Sequence, residues 1–94
     1  MKSQPEPYQR QIFVCTNHKA DGTPCCGDRD GELIFRKLRE IAKERGLHPR
    51  LRVAQAKCLG QCARGVNVMI YPEETWCQDV TLNDVPGLAD IYLR

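Results

Sequence analysis

At 94 residues, 41% hydrophobic and 28% charged, the chain suffices for one small globular domain and not for two. A net charge of +2 makes no global case for binding nucleic acid, and no run approaches the roughly 18 to 20 apolar residues of a membrane-spanning helix. The N-terminus carries no apolar signal segment, so the composition points to the cytoplasm, where six cysteines stay reduced and metal binding gains over disulfides.

Residues 1–10, polar and interrupted by Pro5 and Pro7, form a flexible lead-in to a domain over 11–94. Gln11-Ile12-Phe13-Val14-Cys15 favours a strand and sets Cys15 at its end. The stretch 16–29 is rich in turn residues and holds the doublet Cys25-Cys26. Asp30, with Asp28 as the alternative, is placed to cap a helix in which Ile34, Leu38, Ile41 and Ala42 recur at helical spacing. Gly46 and His48-Pro49 end it. Its basic residues, Arg36, Lys37, Arg39, Lys43 and Arg45, continue into Arg50 and Arg52. Glu40 and Glu44 stand at pairing distance along the helix, so a solvated charged face outweighs a docking patch for an acidic partner.

Arg50 to Gln55 alternates polar and apolar, the pattern of a half-buried second strand. The segment 57–65 holds Cys58 and Cys62, and Val66 to Tyr71 is apolar enough for a central strand. After the turn at Pro72-Glu73-Glu74, residues 75–78 return as a hairpin partner, with Trp76 in the core and Cys77 a half-buried free thiol. Asp84 caps a last helix with Pro86 in its first turn and Val85, Leu88, Ala89 and Tyr92 on its apolar face. Two strands joined through a helix imply a parallel pair, to which the hairpin adds an antiparallel edge. The outcome is an α/β fold of thioredoxin-like layout. It has a small mixed sheet of about four strands, two main helices and cysteine loops at strand ends, where such sheets carry their sites.

Cys58 and Cys62 have three residues between them, which suits neither a zinc knuckle nor a thiol–disulfide pair. Further ligands must come from Cys15 and the Cys25-Cys26 doublet. Cys15, Cys26, Cys58 and Cys62 give C-x10-C, a gap of 31 residues, then C-x3-C. Four thiolates match the ligand count and softness that a 2Fe–2S cluster requires. Lys57, Arg29 and Arg64 beside the ligands either offset the negative charge of such a site or face solvent. A structural zinc site and a thiol–disulfide enzyme are the rival readings, the latter without a C-x-x-C pair to support it. No Ser-His-Asp set, phosphate loop or paired-carboxylate signature argues for catalysis.

The stretch from about Ile12 to Leu93 resembles the thioredoxin-like 2Fe–2S ferredoxins. The resemblance is carried by Phe-Val-Cys at 13–15, Cys-Gly-Asp-Arg at 26–29, Glu-Leu at 32–33, Gly-Leu at 46–47, Cys-Leu-Gly-Gln-Cys at 58–62 and Tyr-Pro-Glu at 71–73. The small iron–sulfur subunit of respiratory NADH dehydrogenase is similar in the same way. What the resemblance implies is one-electron transfer between redox partner proteins on a 2Fe–2S cluster, with no substrate chemistry in the domain. It also allows a redox or iron sensor and a homodimer. Its ligands would be Cys15, Cys26, Cys58 and Cys62, with Cys26 preferred because Cys-Gly, an arginine and then the helix is the family's phrasing, and Cys25 as the alternative. The sequence departs from the pattern in having Asp30 where glycine is frequent, and Val66-Asn67 where proline is. Leu59, Gln61, Ala63 and Arg64 would form the docking rim.

Overall fold

The computed structural model describes residues 1–17, 30–57 and 65–94. The strands are Arg10–Cys15 (β1), Leu51–Ala56 (β2), Val68–Tyr71 (β3) and Thr75–Cys77 (β4), and the helices Gly31–Glu44 (α1) and Val85–Tyr92 (α2). They make one sheet in the order β2-β1-β3-β4. The first two strands run parallel through the α1 crossover, and β3 returns antiparallel to β1 and pairs with β4 as a hairpin. This is the expected mixed sheet.

Alternation along the strands builds the core. Ile12 and Val14 of β1 stand in register with Val68 and Ile70 of β3, and all four are buried. Leu51 and Val53 extend the same layer along β2. Above it α1 lays down Ile34, Phe35, Leu38 and Ala42, and α2 adds Val85 and Ala89. Burying a side chain such as Leu38, wholly inaccessible here, is worth about 2–3 kcal/mol before entropy is charged against it.

α1 ends as expected: Gly46 takes the left-handed backbone (φ +67), and Leu47 folds back by donating its N–H to the Ala42 carbonyl at 3.0 Å. Its start differs in detail. Asp30 holds the cap position, but its side chain makes no capping bond and its φ is +68, a conformation that glycine adopts without cost. Of the helix's charges, Arg36 pairs with Glu32 at 2.7 Å, and among the described residues no ion pair forms with Glu40 or Glu44. Glutamate placed N-terminal to its cation is the favoured order.

Three further expectations are corrected. The central strand begins at Val68, because Val66 and Asn67, though fully buried, direct their carbonyls to the N–H groups of Val80 and Cys15 outside the ladder. Asp84 precedes α2, but its carboxylate accepts from the Thr81 N–H at 2.8 Å and so caps the single 3-10 turn Leu82–Asp84. Trp76 is 41% exposed rather than core, since it lies on the short edge strand and on the sheet face opposite the buried layer.

Candidate metal centre

The site is built at one end of the β1–β2 pair. Cys15 is the last residue of β1, is 1% exposed, and carries a free thiol. Its register partner on the parallel neighbour is Ala56, and Cys58 follows Ala56 by two positions in the sequence. On the other flank the Cys15 N–H donates to the Asn67 carbonyl at 3.0 Å. The chain therefore leaves for 58–64 beside Cys15 and returns beside Cys15. The segment bearing Cys58 and Cys62 is held at both ends against the one described cysteine of the predicted ligand set.

Local hydrogen bonds fix those anchors. Thr16 donates its N–H to the Ala56 carbonyl at 3.0 Å and its hydroxyl to the Gln55 side-chain oxygen at 3.2 Å, tying the strand ends together just before 18–29. Asn67, 1% exposed, accepts on its side-chain oxygen from the Trp76 indole N–H at 3.2 Å. A buried amide bonded in this way fixes the returning backbone that carries the Cys15 contact.

Cys25, Cys26, Cys58 and Cys62 lie outside the described residues, as do Arg29, Arg64 and the predicted docking rim. Among the described residues no three His, Cys, Asp or Glu side chains converge on a metal position. The remaining described cysteine, Cys77, is half-buried and free in β4, as expected. Burial pushes its thiol pKa up, and the nearby Asp84 carboxylate adds to the effect, so it is protonated at neutral pH and a poor nucleophile or ligand. Trp76 and Asn67, which stabilise the return of 58–64, were not picked out from the sequence as a pair. Nine positions apart, one just before β3 and the other on β4, they carry no motif.

The donor chemistry suits an iron–sulfur group. A free, buried thiol at a strand end, with two more cysteines in the sequence between Ala56 and Asn67, which flank it, and a doublet in the sequence that follows it, offers soft sulfur donors.

Comparison with known proteins agrees with this chemistry. No protein-family model matches the chain. A 2Fe–2S ferredoxin of Clostridium pasteurianum is 29% identical over 88 residues, covering 92% of this chain and 86% of its own. A 2Fe–2S ferredoxin of Aquifex aeolicus is 25% identical over 88 residues, covering 90% and 79%. The crystal structure of the wild-type thioredoxin-like [2Fe-2S] ferredoxin from Aquifex aeolicus superimposes with a TM-score of 0.81 at 25% identity, over 92% of this chain and 86% of that one. The chain has the thioredoxin-like ferredoxin fold. Its relatives in sequence and in structure are 2Fe–2S ferredoxins, and the strand, helix, strand, hairpin, helix order is the frame on which this ferredoxin-like chain carries its cysteines. No described helix is long and apolar enough to cross a membrane.

Proposed function

We propose that this chain carries one electron at a time between protein partners on a 2Fe–2S cluster held by Cys15, Cys26, Cys58 and Cys62, with Cys25 in reserve for Cys26. The observation that carries the reading is the anchoring of 58–64 at both ends beside the buried Cys15 thiol. The relatives, named as 2Fe–2S ferredoxins, support the choice of cluster over zinc. When bound, the cluster supplies a one-electron couple. The protein's share is to hold thiolates in a fixed arrangement, keep water from the Cys15 sulfur, and present the strand-end loops to a partner. The domain over 11–94 then needs no substrate chemistry of its own and works in the reducing cytoplasm.

The test is an absorption spectrum of protein purified without oxygen, with iron and sulfide assayed on the same sample. Visible bands with two irons and two sulfides per chain are expected. A colourless, zinc-loaded protein that refuses cluster reconstitution would overturn the assignment in favour of a structural metal site.

A further inference from the structure

The groove at the outer edge of β2 is lined by basic side chains and by no carboxylate. Of about 260 Å³, it opens between α1 and β2, with Phe35 and Ala42 in its floor and Arg39, Lys43, His48 and Arg52 around it. A second groove continues it along α1, shares Phe35, Arg39, Lys43 and Gln55, and adds the Glu32–Arg36 pair and Glu40. Arg39 lies over the Phe35 ring at 5.9 Å and Arg52 over the Tyr8 ring at 5.7 Å, so both guanidinium groups are held in place. Neither of them, nor Lys43, forms an ion pair among the described residues, whereas Arg36, Arg45 and Arg10 are paired with Glu32, Asp90 and Glu73.

The strand itself is open on that side. The carbonyls of Arg50 and Ala56 accept from Gln9 and Thr16 on the β1 side. Backbone direction alternates along a strand, so the N–H and C=O groups of Val53 and Gln55 point outward, where no described strand pairs with them. An added strand would satisfy these groups while setting alternate side chains beneath Arg39 and Lys43.

We infer that this edge is the docking site for an extended acidic segment of the redox partner, which adds to β2 as a fifth strand. The partner's identity rests on the electron-carrier reading; the groove's chemistry does not. Unpaired cations select carboxylates, the Phe35 and Ala42 floor selects interleaved apolar residues, and the edge supplies main-chain hydrogen bonds. The groove runs to Gln55, whose side chain bonds Thr16 just past Cys15, so a segment docked there brings its protein to the thiol end of the sheet.

The probe is a fluorescein-labelled peptide of alternating valine and glutamate, compared with its valine–lysine counterpart by fluorescence anisotropy on the purified chain. The acidic peptide is expected to bind, to weaken with salt, and to weaken roughly tenfold in Arg39→Glu/Lys43→Glu, while Arg39→Lys/Lys43→Arg retains binding. Hydrogen exchange should slow at the Val53 and Gln55 amides when the peptide is present. Equal binding of both peptides, no binding, or protection confined to other strands would overturn the inference. So would sedimentation showing a dimer that the double reversal dissociates, because the edge would then be covered by a second copy. Visible absorption on the same samples separates the two readings. Colourless protein that binds the acidic peptide refutes the carrier and keeps the groove, and coloured protein that binds neither does the reverse.

Discussion

Cys15 and Asn67 are joined backbone to backbone at 3.0 Å, and Asn67 is in turn bonded through its side chain to Trp76. The path from an exposed indole to a buried thiol thus passes through one buried amide. Asn67→Ala removes the acceptor of the Trp76 N–H and is expected to cost about 1–2 kcal/mol, with Trp76→Phe costing about 1 kcal/mol or less because the indole is partly hydrated. Urea denaturation of both single variants and the double variant measures the coupling between them. Strict additivity would show that the bond contributes nothing.

The four-thiolate assignment predicts an asymmetry within the doublet. Cys25→Ser should keep the visible bands while Cys26→Ser loses or alters them, and Cys15→Ala, Cys58→Ala and Cys62→Ala should each be colourless. The wild-type potential should be of the order of −400 mV, as in plant-type ferredoxins. Spectra and redox titration decide both points, and a potential above zero would require a ligand other than cysteine.

Arg45, just past α1, joins the two helices. Its Nη1 donates to the carbonyls of Ala89 and Leu93 at 3.0 Å each, and its Nη2 to Asp90 at 3.2 Å, adding to the Leu93 N–H at the Ala89 carbonyl and satisfying the Leu93 carbonyl just past α2. Arg45→Ala should destabilise the fold by about 1–2 kcal/mol. Arg45→Lys should recover little, since an ammonium cannot span three acceptors with a planar fork. Thermal melts of the three proteins are the check.

Acid sensitivity should centre partly on the Arg10–Glu73 pair. The hydrogen bond from Arg10 holds the Glu73 carboxyl below its ordinary value, against a smaller opposing effect of burial. A carboxyl with a depressed pKa in the folded state stabilises above its unfolded value of about 4.3, and that contribution disappears as pH falls through the folded value. Glu73→Gln should therefore be less stable than the parent at pH 7 and equal to it once the parent's Glu73 carboxyl is protonated. Because the pair is partly exposed, the difference will be a fraction of a kcal/mol. Stability measured from pH 2 to pH 7 tests the crossover, and a constant gap across that range would contradict it.

Much of the frame was legible because periodicity speaks directly to burial. The alternation over Arg50 to Gln55 and the helical recurrence of Ile34, Leu38 and Ala42 fall on the buried layer as read, and the β-favouring run Gln11 to Cys15 lies in β1. Of the proposed thiol set the sheet places Cys15, beside the residues that flank 58–64, and the other cysteines lie outside the described residues. What remained hidden depends on partners distant in sequence. The edge position of Trp76 follows from strand order, the Asn67 bonds from tertiary packing, and the use of Asp84 one turn early from competition between two helix starts. That Arg39 and Lys43 form no ion pair among the described residues was likewise unreadable, since Glu40 and Glu44 stand at spacings that permit such pairs.

The register that sets Cys15 beside Ala56 also has a consequence for cluster insertion. On the proposed ligand set, Cys15 and Cys26 both precede α1 in the chain, and Cys58 and Cys62 follow β2, whose docking beside β1 needs the α1 crossover. β1 lies between β2 and β3, so the return through Asn67 adds a further strand before the segment is closed at both ends. A ribosome-bound fragment ending before residue 67 would lack that closure. Iron delivery would then belong to the completed sheet, making the cluster a late rivet on a finished frame rather than the nucleus around which the chain collapses.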